Sequence, residues 1–160
     1  MTTDVGQLAR AWLSHETWGI APRADADLKA IAKAVINCAQ GDGELSAAER
    51  DWVVGAYAAR GVPAELIDEL RAYQGKDDLE TLLAGVKSRH AAPRAVIYMA
   101  IQACAADGEL HALELDVIVK MGALLGVTAD VVHQLKAVYD EEQAVRQKRI
   151  TLAFPDGLPD

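Results

Sequence analysis

Aromatic residues are scarce in this chain. They make up 5% of its 160 residues, with a single Phe. A core must therefore be filled by small aliphatic side chains, and Ala and Leu are abundant enough to do so on helices. Cysteine is nearly absent: Cys38 and Cys104 both sit in apolar helical patterns. Two such thiols exclude a disulfide-stapled scaffold and fit inert core positions in a reducing, cytoplasmic compartment. No basic segment followed by an apolar core opens the chain, so no secretory signal is expected. The most apolar stretch, Ala95 to Ala106, is far short of the roughly 20 residues that a transmembrane helix needs. Bases are in deficit, with 16 Lys and Arg against 24 Asp and Glu, a net charge of −8. That field repels phosphate, excludes generic binding to nucleic acid or anionic membrane, and favours cations or basic partners. A Gly-rich phosphate loop, a nucleophile elbow and a His-Glu-x-x-His pattern are all missing.

What is present is a repeat. Gly41-Asp42-Gly43-Glu44-Leu45-Ser46-Ala47-Ala48-Glu49 recurs as Ala106-Asp107-Gly108-Glu109-Leu110-His111-Ala112-Leu113-Glu114, an offset of 65. The register continues without a gap through Asp51 and Asp116, Val54 and Val119, Gly61-Val62 and Gly126-Val127, and Leu70 and Leu135. Coincidence in one register over so long a span indicates internal duplication, with a pseudo-twofold arrangement of the halves as the expected spatial form.

Each half reads as helix, tight turn, helix, short turn, helix. Residues 27–40 carry apolar positions at helical spacing through Leu28, Ile31, Ala34, Val35 and Cys38. Gly41 and Gly43 break that helix. Ser46 is a good N-cap and Glu49 completes a capping box. Gly61 stops the next helix, and Pro63 suits the first turn of another. The second half copies this with helices at 93–106 and 112–125, and with Thr128 capping a longer helix that the basic run Arg146-Gln147-Lys148-Arg149 closes. Asp77 and Glu80 open a short helix between the halves. Residues 4–18 form an amphipathic helix through Val5, Leu8, Trp12 and Leu13. Trp12, Trp18 and Trp52 read as packing anchors, and His15, His90 and His133 as surface or capping residues. The predicted fold is all-α with about eight helices in two tandem pseudo-symmetric repeats. Its organisation is an N-terminal helix and linker at 1–24, a duplicated helical domain at 25–142 with repeats at about 27–74 and 92–139, and a helix end with a flexible tail at 143–160.

The acidic turns carry the functional signal. Asp42 follows Ile31, Val35 and Cys38, and Asp107 follows Val96, Ala100 and Ala103, in the same helical steps. Both aspartates thus continue an apolar stripe. Glu49 precedes Trp52, Val53 and Ala56 as Glu114 precedes Val117, Ile118 and Met121. Each turn is expected to aim two carboxylates at a helix–helix interface. Two like charges 4 Å apart repel by about 4 kcal/mol at an effective dielectric of 20, and desolvation adds to this. A bound divalent cation relieves both. Mg²⁺, Ca²⁺ and Mn²⁺ suit the oxygens of Asp42, Glu49, Asp107 and Glu114, and His111 would admit Zn²⁺. The spacing is not that of an EF-hand loop, since Leu45 and Leu110 interrupt a shorter run. The competing reading is structural: Asp-Gly turns, a capping-box glutamate and leucine staples.

Two copies of Ala-x-x-Asp-Gly-Glu-Leu-x-x-x-Glu resemble the TerB family of tellurite-resistance proteins. They stand at Ala39 to Glu49 and, with Cys104 in place of the leading Ala, at Cys104 to Glu114. The resemblance covers roughly residues 25–142. It implies an all-helical fold with an internal repeat, metal binding at Asp42, Glu49, Asp107 and Glu114, and a role in bacterial stress and tellurite resistance. Gly41 against Ala106 and Ser46 against His111 are departures between the halves. The expected function is a cytoplasmic, non-enzymatic protein that binds a divalent metal ion and works through a protein partner. The alternatives are a helical interaction module whose acidic turns are structural only, and a metal-dependent hydrolase using the paired acids.

Overall fold

The computed structural model describes residues 4–22, 27–86 and 92–159. Among them are eight helices and no strand: α1 (Val5–Trp18), α2 (Leu28–Ala39), α3 (Ala47–Ala59), α4 (Ala64–Ala72), α5 (Leu79–Leu83), α6 (Pro93–Cys104), α7 (Ala112–Leu124) and α8 (Ala129–Ala153). The starts Leu28 and Pro93, Ala47 and Ala112, and Ala64 and Ala129 each lie 65 positions apart.

The helix boundaries follow local chemistry. Asp4 accepts from the Gln7 N–H at 3.1 Å and Asp78 from the Thr81 N–H at 2.8 Å. Ser46 and Glu49 exchange both capping-box bonds, at 3.2 and 2.7 Å. Pro63 is itself the N-cap of α4, one position outside the helix. The basic run does not close α8. Ile150, Thr151, Leu152 and Ala153 continue the helix, and it stops where Pro155 would lack an amide proton.

α2 and α6 are the central helices. They pack against each other, and each also contacts α3 and α7. Ile31 through Ala39 is buried in α2 apart from the half-buried Lys33, and Val96 through Cys104 is buried in α6 apart from the half-buried Gln102. Ala32, Ala34, Ala39, Ala100 and Ala103 are fully buried, so the helices approach closely without large side chains. That is how a chain poor in aromatics fills its core. Lys29 and Lys33 both hold Glu69 at 2.7 Å, tying α2 to α4. Arg50 Nη1 donates to the carbonyls of Leu70, Arg71 and Tyr73 and satisfies the C-terminal end of α4.

Two expectations about packing are corrected here. Trp12 is not an anchor: the backbone of α1 approaches that of α3, but Trp12 is 66% exposed, as are Val5 at 72% and Leu8 at 60%. Trp18 is only partly packed, in an edge-to-face contact with Tyr98 whose ring centroids lie 6.0 Å apart. Trp52 does pack against the core. His15 and His133 are exposed, and His90 lies outside the described residues. No described helix is long and apolar enough to cross a membrane.

Candidate functional site at the acidic turns

Each acidic turn begins where a central helix runs out. The backbone reaches φ 101° at Gly43 and 109° at Gly108, a region that side chains disfavour. Just before this, Asp42 Oδ1 accepts from the Glu44 N–H at 3.0 Å, and Asp107 Oδ1 from the Glu109 N–H at 3.1 Å. These bonds brace the turn. They also place the aspartates on its rim: Asp107 is exposed and the Asp42 side chain is 25% exposed. The apolar stripe does not carry them inward, because α2 ends at Ala39 and α6 at Cys104. Helical phase holds only as far as the helix does.

The glutamates do turn inward. Glu49 is 2% and Glu114 1% exposed. Each uses Oε2 to accept an N–H at the start of its own helix, from Ser46 at 2.7 Å and from His111 at 2.8 Å. The two carboxyl groups lie within hydrogen-bonding reach of one another. When both are ionised, neither has a proton to offer, and the buried Glu114 Oε1 has no donor. Protonation resolves this. Burial first, then the hydrogen bond and charge of Glu49 and the charge of Asp42, push the Glu114 carboxyl up to about 8, against the opposing pull of the His111 N–H.

The two turns are linked in space. A Cβ built on Gly41 would lie 3.1 Å from Glu114 Cα and 2.9 Å from Val117 Cγ2. The first turn is thus seated directly on the start of α7. Asp42 Oδ2 stands 3.9 Å from His111 Nε2. The thiols flank the same centre. Cys38 Sγ is 3.5 Å from Met121 Sδ, and both thiols are pushed well up by burial, with the Glu114 charge adding to each. The thiols and the acids thus belong to one cluster. The hint was in the sequence, since each Cys precedes its Asp by three or four residues.

The five residues expected to share one site, Asp42, Glu49, Asp107, Glu114 and His111, are placed differently. Glu49 and Glu114 converge, Asp42 and His111 stand at their edge, and Asp107 is on the opposite turn's rim. Among the described residues no three His, Cys, Asp or Glu side chains are arranged as a ready metal-holding group.

An all-α protein built around two Asp-Gly-Glu turns, with a buried glutamate pair between them, defines the class. Residues 28–137 match the family described as tellurite resistance protein TerB. A crystal structure of a tellurite resistance protein from Nostoc punctiforme PCC 73102 superposes with a TM-score of 0.82 and 34% identity, covering 99% of this chain and 100% of that one. No curated protein sequence matches. The chain belongs to the TerB family.

Proposed function

We propose that this TerB-family protein acts without catalysis in tellurite resistance or a related bacterial stress response, in the cytoplasm and through a protein partner. In this reading it binds a divalent cation at the Glu49–Glu114 pair, with Asp42, Asp107 and His111 as the donors on the turn rims. The observation that carries it is the buried Glu114 Oε1 without a donor. A cation in place of the shared proton would supply that missing partner and offset the repulsion of two buried carboxylates. Oxygen donors favour Mg²⁺, Ca²⁺ or Mn²⁺, and His111 extends the range to Zn²⁺.

Thermal melts with each of these four ions test the proposal. A ligand at about 100 times its dissociation constant adds about 2.7 kcal/mol to a folded state that alone binds it. The expected result is a shift for at least one ion that disappears in Glu49→Gln with Glu114→Gln. No shift for any ion, or an equal shift in the double variant, refutes cation binding here.

One observation favours a second reading, in which the module only docks a partner. Glu49 and Glu114 are already engaged in capping α3 and α7. Recovery of the same partner from lysate by the double variant, with chelator present, supports that alternative.

A further inference from the structure

We propose that the C-terminal half of α8 pairs antiparallel with α8 of a second copy of this chain, on a two-fold axis passing between the two Val145 side chains. α8 has 25 residues where α4, which starts at the matching position, has 9. The first part of this excess still lies against the body at Tyr139 and Glu142, and residues 144–149 are all exposed. The body-facing side is marked by Val132, Lys136, Tyr139, Gln143 and Ile150, which are buried or half-buried. On the other side a row of apolar residues has no cover: Val138 is 45% exposed, Val145 66% and Leu152 75%. They recur every seven residues, so each lies almost directly above the last on a helix of 3.6 residues per turn. Such a seam is made for another helix.

Charge selects which helix and which direction. Glu142 and Arg149 flank the seam on one side, Glu141 and Lys148 on the other. In an antiparallel pair centred on Val145, Val138 faces Leu152 of the second copy. The same symmetry sets Glu142 level with Arg149 of the second copy and Glu141 level with Lys148 of the second copy. Each of these matches is offset by one residue, a rise of about 1.5 Å. All four flanking contacts join opposite charges. A parallel pair would instead set Glu141 beside Glu142 and Lys148 beside Arg149, repelling at both ends. Glu142 also accepts the Tyr98 hydroxyl of α6. The surface is therefore complementary to itself in one orientation only, as a two-fold interface requires.

The test uses exposed positions; because Glu142 also accepts the Tyr98 hydroxyl, circular dichroism of the charge variants checks that each is folded. A residue on the axis meets its own copy. Val145→Cys is therefore expected to form an intermolecular disulfide on mild oxidation, at least ten times faster than Gln147→Cys on the far side of the helix; the native thiols are buried. In sedimentation, the wild type is expected to show a concentration-dependent dimer. Glu141→Lys with Glu142→Lys should weaken it at least tenfold, and adding Lys148→Glu with Arg149→Glu should restore it. A monomer at every concentration overturns the proposal. So does equal crosslinking at 145 and 147, or a dimer that the charge reversal neither weakens nor the second reversal restores.

Discussion

Glu49 and Glu114 each bond the backbone N–H that opens their own helix, α3 and α7, and their buried carboxyl groups act on one another. A proton on Glu114 relieves the burial of its charge beside Glu49. The stability of the molecule is thereby linked to pH at Glu114.

The sign of that linkage follows from the direction of the shift. Glu114 holds its proton in the folded state up to about 8, whereas its ordinary value is 4.5. Between these values the folded chain binds more protons than the unfolded one, so stability falls as pH rises and levels off above about 8. A one-unit gap corresponds to about 1.4 kcal/mol, and the full effect is expected to reach a few kcal/mol. Urea unfolding at intervals from pH 5 to 9 should show the decline. Glu114→Gln, which carries a permanent donor, should flatten it and be the more stable form at pH 9.

Cation binding, if it replaces the proton, runs the opposite way. The melting shift produced by a fixed concentration of the active ion should grow from pH 6 to pH 8.5, because the ion competes with one proton at Glu114. A shift independent of pH would separate ion binding from this carboxyl pair.

Gly41 is required by a close approach. A Cβ there meets the Cys38 carbonyl oxygen at 2.8 Å as well as α7. Gly41→Ala should therefore cost about 1–3 kcal/mol, a fall in Tm of several degrees at about 2–4 °C per kcal/mol for a chain of this size. Ala106, at the matching position of the second turn, already carries a methyl group. Ala106→Gly is expected to cost less than half as much. Differential scanning calorimetry of the two variants checks the contrast.

Tyr73 closes a polar cluster under α2. Its hydroxyl donates to Asn37 Oδ1 at 2.7 Å and accepts from the Asp77 N–H at 3.3 Å, while Asn37 Nδ2 donates to the Asp77 carbonyl. Asn37 is 8% exposed. Tyr73→Phe leaves its carbonyl oxygen without this donor, and chemical denaturation should show a loss of about 1–3 kcal/mol.

The thiols give a simple check on the centre. Burial pushes Cys38 and Cys104 well above the usual thiol range, so neither ionises readily in the folded state. Ellman's reagent at pH 8 should label neither in native protein within the time that it labels both in urea. Rapid labelling of either would mean that the core around Glu114 opens.

Much of the local structure was legible from residues alone. Ser46 with Glu49 and the Gly43 and Gly108 turns mark helix ends by hydrogen bonds formed within a few residues, and the structure has them; the short helix after Gly75 is capped by Asp78, one residue beyond the expected Asp77. Trp12 misled because amphipathic spacing says that a face is apolar, not that anything covers it. Asp42 and Asp107 misled because their phase was extrapolated past Ala39 and Cys104. Gly41 carried no local sign of its role; the atoms that forbid a side chain there include Val117 and Glu114, remote in sequence.

The sequence by itself determined the helices, their 65-residue recurrence and the identity of the acids in the turns, since propensity, capping and spacing act over one or two helical turns. Only the tertiary structure decided that Glu49 and Glu114 meet while Asp107 stays on a rim. Burial and the proximity of charges depend on how α2, α3, α6 and α7 pack, and no short-range rule fixes distances between residues 65 positions apart.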